Sequence, residues 1–121
     1  SEYKMPGQLL QPIVENAIAH GLRGKEGGRI DISGTLQGEN ILLRVHDNGC
    51  GMETEALETL REALCSVKSG EEPQPGLHGV ALLNIQRRIR LSFGEKYGLQ
   101  IENDPGGGAN ISIILPQIAD L

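Results

Sequence analysis

The sequence has 121 residues, of which 38% are hydrophobic and 22% charged, a composition typical of one soluble globular domain. A net charge of −5 argues against a nucleic-acid partner, because proteins that bind nucleic-acid backbones usually present a basic face. No apolar run approaches the ~20 residues that cross a bilayer, so we expect no direct membrane contact. The two cysteines, Cys50 and Cys65, have neither metal-ligand spacing nor a disulfide framework, which favours a reducing cytoplasm.

The start of the chain indicates a piece of a larger protein. It begins with Ser1 rather than Met, and a helical pattern follows almost at once. We therefore expect residues 1–121 to form a single domain without its neighbouring domains.

The first half of the chain predicts a helix and then a hairpin. Apolar residues at helical spacing predict a helix from Gly7 to Gly21, where glycine is a stop signal. The apolar stripe of this helix consists of Ile13, Val14, Ala17 and Ile18. Alternating runs at 30–33 and 41–46, joined by turn residues 37–40, predict a β-hairpin.

The second half of the chain predicts two helices and two strands. One helix is expected over Thr54–Cys65, with Thr54 as its N-cap. Residues 66–78 are rich in Gly, Pro, Glu and Ser and predict a mobile loop. A second helix carries apolar residues from Leu82 to Phe93 and ends near Gly94. Its basic cluster, Arg87, Arg88 and Arg90, is expected to be a solvated face.

Two further strands are predicted at 99–102 and 111–115, joined by a Pro- and Gly-rich turn at 104–108. The order of elements is therefore α, ββ, α, α, ββ. This order predicts an α+β fold with two layers, in which helices cover one face of a mixed, mostly antiparallel sheet.

Three segments occur in the order residues 9–21, Asp-Asn-Gly-Cys-Gly-Met at 47–52, and residues 79–85. They resemble the N box, the G1 box and the G2 box, which are the nucleotide-binding motifs of one ATPase superfamily that includes gyrase, Hsp90, histidine kinases and MutL. Gln-Pro-Ile-Val-Glu-Asn-Ala-Ile-Ala-His-Gly is the N-box form of LytS/YesM-type sensor histidine kinases, and residues 87–91 and 93–95 also fit that group. The resemblance implies a Bergerat-type ATP-binding fold that uses ATP and Mg²⁺.

Asp47 is the candidate adenine-binding residue. An ionised carboxylate only accepts hydrogen bonds, and the exocyclic amine of adenine donates them. Gly49 and Gly51 remove side chains where base and sugar approach the backbone, and the motif implies that Met52 contacts the nucleotide as well. Taken alone, the segment also fits an ordinary Asp-Asn-Gly turn after a strand.

The N-box helix supplies the candidate metal ligand. The side-chain oxygen of Asn16 suits Mg²⁺, which takes one or two oxygen ligands from protein. On a helical projection Asn16 shares one rim with Pro12 and His20. For His20 a phosphate or ribose contact and local capping of the helix remain alternatives. Glu15, a weak catalytic candidate, points away from this rim, which favours a salt bridge or a supporting role.

The G2 box is the candidate phosphate site. Gly79 precedes a helix, whose free N–H groups and dipole attract anions. The resemblance implies nucleotide contacts from Gly79, Val80, Ala81 and Leu82, beneath residues 66–78 acting as a lid. Residues 106–109 resemble the final Gly-x-Gly-Thr element, which adds Ala109 to the ATP-binding candidates, although a plain glycine turn also fits.

Three alanines depart from the family pattern. Ala19 replaces a phosphate-binding lysine, Ala81 replaces the second G2 glycine, and Ala109 replaces the final threonine. Arg23 or Lys25 is our hypothesis for the missing cation.

The N box favours phosphoryl transfer over hydrolysis. Hydrolytic members of the superfamily have a glutamate as general base one turn before the N-box asparagine, where this chain has Pro12. The resemblance implies transfer of the γ-phosphoryl group to a histidine on a separate dimerisation domain of the same protein, with a response regulator downstream. None of His20, His46 and His78 fits that acceptor. The parent is expected to be an inner-membrane sensor with this domain in the cytoplasm.

Two other functions remain open at this stage. A serine kinase of the anti-sigma-factor type uses the same domain alone. A nucleotide- or protein-binding module without catalysis would also tolerate the three alanines.

Overall fold

The computed structural model describes residues 7–16, 18, 26–67 and 80–117. Its elements follow the predicted order, with two helices inserted between two hairpins. They are α1 (Gly7–Asn16), β1 (Ile30–Gln37), β2 (Asn40–Asp47), α2 (Thr54–Ser66), α3 (Val80–Phe93), β3 (Gly98–Asn103) and β4 (Ala109–Pro116).

The four strands form one sheet in the order β1-β2-β4-β3, and each neighbouring pair is antiparallel. The first hairpin turns between Gln37 and Asn40, which face each other, and Gly38 adopts a φ of +62° in the turn. The second hairpin, β3–β4, pairs with the first through β4, which lies beside β2. This arrangement confirms the predicted hairpins and makes β1 and β3 the edges of the sheet.

The core lies between one face of the sheet and the helices. Along β4 buried and half-buried residues alternate, because successive side chains of a strand point to opposite faces. Buried apolar residues of the three helices cover the inner face, including Ile13, Leu60, Leu64, Leu82, Ile85 and Ile89. The α+β sandwich with helices on one face is therefore confirmed.

Two local predictions differ from the structure, and part of a third lies outside it. Thr54 is the first residue of α2 rather than its N-cap, which is Glu53 in an extended conformation without a side-chain capping bond. Ile18, which follows α1, is 55% exposed and so does not continue the buried stripe of Ile13. The predicted segment 17–21 of this helix, apart from Ile18, lies outside the described residues.

Arg90 does not lie on a solvated face as predicted. Its Nη1 donates hydrogen bonds to the carbonyl oxygens of Leu64, Cys65 and Val67, at 3.3, 3.2 and 2.7 Å. The last carbonyls of a helix lack partners within the helix. Arg90 therefore caps the C-terminal end of α2 from the neighbouring helix, which one-dimensional periodicity does not show.

Gln86 joins both helices to the sheet. It is 2% exposed, its Nε2 donates to the carbonyl of Leu64 at 3.0 Å, and its Oε1 accepts from the amide of Leu99 at 2.8 Å. Buried amides are stable only when their polar atoms are paired, and here both ends are.

None of the helices in the described part of the chain has the length and apolar character that would let it span a membrane.

Candidate functional site

The ends of three adjacent strands meet at one end of the sheet. Asp47, the last residue of β2, faces Ala109, the first residue of β4, and Ala109 faces Asn103, the last residue of β3. The predicted G1 segment leaves the sheet at this point, between β2 and α2. The antiparallel order thus brings the G1 box and the glycine-rich turn before β4 together.

The Asp47 side chain lies buried at the start of this loop, with the residue 4% exposed. Its Oδ1 accepts the Gly49 amide at 2.9 Å, so the Asp-Asn-Gly turn that the sequence allowed does form. Within the described ranges, the Gly49 amide is the donor to this carboxylate, through Oδ1. The turn therefore does not exclude the predicted hydrogen bond from adenine to the other oxygen, which stays a prediction.

Asn48 attaches the loop to the residues before β1. Its Oδ1 accepts the Arg29 amide at 2.7 Å, its own amide donates to the Arg29 carbonyl at 3.1 Å, and its Nδ2 donates to the Gly27 carbonyl at 3.4 Å. These bonds continue the β1–β2 pairing for one residue beyond Asp47. The sequence predicted Asn48 only as part of the Asp-Asn-Gly turn, without these bonds.

Asn103 holds the other end of the loop. Its Oδ1 accepts the Met52 amide at 2.9 Å, and its Nδ2 donates to the Met52 carbonyl at 2.8 Å. Gly51 adopts a φ of +74°, and a Cβ on it would lie 2.9 Å from Asn103 Oδ1. Gly51 therefore allows this side chain to approach, in addition to any room that it leaves for a ligand.

Gly108 packs directly against the start of the loop. It has a φ of +82°, and a Cβ there would overlap the Asp47 carbonyl and lie 3.1 Å from Asn48 Cα. The final glycine element thus has a structural role at the G1 loop. Ala109 follows with 7% exposure, beside Asp47 and Asn103 on the neighbouring strands.

The remaining N-box and G2 candidates are described only in part. Asn16 is the last residue of α1 and Val80 the first of α3, while Ala81 is exposed. Leu82 is 1% exposed, so its side chain belongs to the core. Several candidates lie outside what the structure describes: the side chains of Asn16 and Val80, all of His20 and Gly79, and residues 68–78 of the predicted lid at 66–78. Ser66, the first residue of that segment, is the last residue of α2.

Glu15 is exposed and accepts a hydrogen bond from Gln11 Nε2 at 3.3 Å. The two residues are four positions apart, so this contact lies along the surface of α1. This contact fits the supporting role expected for Glu15, and its catalytic candidacy stays a prediction.

A second polar cluster lies beside the site on the outer face of the sheet. His46 Nδ1 lies 2.8 Å from Asn110 Oδ1 and 3.3 Å from Asp104 Oδ2. Asp104 also bonds within its own turn, where its Oδ1 accepts the Gly106 amide at 3.0 Å. His46 thus links β2 to the turn before β4 and is engaged within the fold.

A cavity of about 280 Å³ lies at the opposite end of the domain, where α2 and α3 end and β3 begins. Gln86 and Arg90 are among its lining residues, and both already bond to backbone groups of the fold. The cavity does not include the Asp47 loop. The candidate functional site stays at Asp47, where the G1 segment and the glycine-rich turn before β4 meet.

A helix-covered antiparallel sheet with a buried aspartate and a glycine loop at its end is the architecture expected for an ATPase domain of the gyrase, Hsp90, histidine kinase and MutL (GHKL) superfamily. The chain belongs to the family of histidine kinase-, DNA gyrase B-, and HSP90-like ATPases, which matches residues 3–119.

Its relatives include sensor histidine kinases of the predicted LytS/YesM type. It is 34% identical over 113 residues to the sensor histidine kinase YesM of Bacillus subtilis, covering 93% of this chain and 17% of YesM. It is 32% identical over 114 residues to the sensor protein LytS of Bacillus anthracis, covering 93% and 18%. Sensor histidine kinase BtsS of Escherichia coli is 29% identical over 117 residues, covering 96% and 18%. The chain thus spans less than a fifth of each relative.

Solved structures of histidine kinases share the fold. The catalytic domain of histidine kinase ThkA matches with a TM-score of 0.64 at 22% identity, covering 91% of this chain and 63% of that one. ThkA in complex with the response regulator protein TrrA matches with a TM-score of 0.64 at 21% identity, covering 93% and 28%. The predicted Bergerat-type architecture is thereby confirmed.

Proposed function

We propose that this domain binds Mg-ATP and transfers the γ-phosphoryl group to a histidine on a separate dimerisation domain of the same protein, in two-component signal transduction. The observation that carries the proposal is the buried Asp47 carboxylate, with one oxygen held by the Gly49 amide and the other left to accept from adenine. Family membership and the sensor histidine kinases among the relatives support it.

Base recognition depends on a rigid acceptor. The Gly49 amide restrains the Asp47 carboxylate through Oδ1, and the residue is only 4% exposed, so a hydrogen bond from the base would form in a site of low effective dielectric constant. An acceptor at this position would pair with the adenine amine, whereas guanine presents a carbonyl oxygen there and would be repelled. We therefore expect selection of adenine over guanine.

The triphosphate would be held by the two helices that carry the N-box and G2 motifs, α1 and the start of α3. Free N–H groups in the first turn of α3 form an anion site, and residues 79–82 are the candidates for it. Among the described residues no cluster of three His, Cys, Asp or Glu side chains could hold a metal ion. The Asn16 side chain, with phosphates and water, is our candidate ligand set for Mg²⁺, which would neutralise phosphate charge.

The chemistry proposed for the domain is transfer rather than hydrolysis. Pro12 lies within α1, one turn before Asn16, and cannot accept a proton from water. Phosphoryl transfer passes through a loose transition state and needs mainly positioning and charge neutralisation. His46 is engaged by Asn110 and Asp104, which does not favour it as the acceptor. We propose that the acceptor histidine lies on the separate dimerisation domain.

In the parent protein, we propose that the domain works in the cytoplasm as part of an inner-membrane sensor and that a response regulator receives the phosphoryl group. The solved complex of ThkA with its response regulator supports such a partner. No contact with nucleic acid or membrane is proposed for the domain itself.

The test combines binding with phosphotransfer. Calorimetry with a non-hydrolysable ATP analogue should show binding that strengthens when Mg²⁺ is added. Radiolabelled ATP, with the parent's histidine-bearing dimerisation domain as acceptor, should yield a product that is labile in acid and stable in base, as phosphohistidine is. An acid-stable product would indicate a serine kinase, and no binding at millimolar nucleotide would leave only an interaction role.

A further inference from the structure

We propose that Asn103 is a positioning residue for the nucleotide site, acting through the backbone of Met52 to fix the loop that carries Asp47. The nucleotide as ligand rests on the proposed function, whereas the hydrogen bonds between Asn103 and Met52 do not depend on it. Asn103 lies outside all three sequence motifs, 51 residues after Met52 in the chain.

The carboxamide of Asn103 pairs with both backbone groups of Met52. It accepts the Met52 amide at 2.9 Å and donates to the Met52 carbonyl at 2.8 Å. These are the two bonds that a neighbouring strand would make with one residue. The side chain thus replaces a strand partner where regular pairing has ended, which removes the freedom of Met52 to rotate.

The loop from Asp47 to Met52 is therefore fixed at both ends. Asp47 is held in β2 by its neighbours Ile30 and Ala109. Asn103 ends β3, two strands away from β2, at a distance of roughly 10 Å for strands about 4.8 Å apart. The loop crosses the end of β4 between these points, where Gly108 packs against it without a side chain.

Fixing the far end of the loop matters for the carboxylate. The Asp47 oxygen that accepts the Gly49 amide is held only as well as Gly49 itself is held. If Met52 were released, the segment from Gly49 to Met52 would sample other conformations. A binding-competent conformation that is only partly populated weakens the apparent affinity by that fraction.

Two substitutions of Asn103 change its two hydrogen bonds to Met52 in different ways, and a substitution of Asn110 is the matched control. Asn103→Ala removes both bonds to Met52, whereas Asn103→Asp retains the acceptor and places a carboxylate oxygen against the Met52 carbonyl. Asn110→Ala removes an asparagine from the same hairpin whose partner is His46, on the outer face of the sheet. Asn110 therefore controls for a general loosening of the hairpin.

The experiment measures ADP affinity by calorimetry, thermal unfolding, and amide hydrogen exchange over residues 48–52 without nucleotide. Asn103→Ala and Asn103→Asp should each bind ADP at least about tenfold more weakly than wild type, with faster exchange in the loop and unchanged protection in β2 and β4. Asn110→Ala should bind within about twofold of wild type. A loss of affinity in the Asn103 variants no greater than that of Asn110→Ala would overturn the inference.

The readouts keep the two proposals distinguishable. If wild type does not bind ADP, the proposed function fails, and hydrogen exchange alone decides whether Asn103 fixes the loop. If Asn103→Ala does not fold, Asn103→Asp decides, because it retains one of the two bonds. A purely structural role would lower the unfolding temperature but leave ADP affinity and loop exchange unchanged at temperatures where the variant is folded.

Discussion

Replacement of Gly108 by alanine tests whether the turn before β4 shapes the Asp47 loop. A non-glycine residue at its φ of +82° costs about 1–2 kcal/mol by itself. The added Cβ would also overlap the Asp47 carbonyl, and because that atom belongs to the backbone, no change of rotamer relieves the contact. Overpacking of this kind costs about 1–3 kcal/mol. We expect Gly108→Ala to lower the free energy of unfolding by the sum of the two costs, about 2–5 kcal/mol.

Gly107 offers a matched control in the same turn. It has a φ of +114°, but a Cβ on it would meet nothing within 4 Å. Gly107→Ala should therefore cost only the conformational part, about 1–2 kcal/mol. The difference between the two variants isolates the contact with Asp47.

The assay is urea unfolding of both variants followed by nucleotide calorimetry on the folded proteins. Gly108→Ala should lose nucleotide affinity because Asp47 and Asn48 must move away, and Gly107→Ala should retain it. Equal stability losses in the two variants, or unchanged affinity in Gly108→Ala, would refute the close packing of this turn against the loop.

The remaining predictions concern Gln86 and Arg90, two side chains of α3 that bond to the C-terminal end of α2. Gln86→Leu removes the side chain that bonds to the Leu64 carbonyl and the Leu99 amide. The free energy of unfolding, measured by urea titration, should therefore fall by about 2–4 kcal/mol. A change below about 0.5 kcal/mol would contradict the role of Gln86 in joining the helices to the sheet. Arg90→Met removes a charged donor from three carbonyls at the end of α2 and should cost about 1.5–3 kcal/mol. Its neighbour Leu91 is 69% exposed, so the control Leu91→Ser should change the free energy of unfolding by less than about 0.5 kcal/mol. An equal loss of stability in Arg90→Met and Leu91→Ser would contradict the capping of α2 by Arg90.

The sequence predicted the elements well because each has a strong local signal. Alternation along 41–46 and 111–115 specifies strands whose inner face is buried, and the structure extends the second of these to Ala109–Pro116. The helix with Leu82, Ile85 and Ile89 was recognised from the spacing of residues that are all nearly fully buried. Order and type of elements follow from such patterns.

Long-range polar contacts could not be predicted in the same way. Gln86 bonds to a backbone group 13 residues away in the sequence, and Asn103 to one 51 residues away. Backbone groups occur at every residue and therefore carry no sequence signal. Arg90 was assigned to solvent because a basic residue in a helix usually lies there, whereas the end of α2 lies beside it. The Asp47 loop was found through its motif, but the residues that hold it were missed.

The most direct test of the nucleotide site is Asp47→Asn, followed by calorimetry with an ATP analogue and by urea unfolding. The substitution keeps the shape of the side chain and its acceptor for the Gly49 amide, but it replaces the oxygen available to adenine with a donor. We predict that binding is abolished while unfolding remains cooperative. Unchanged affinity in a folded Asp47→Asn variant would contradict the assignment of this carboxylate to adenine.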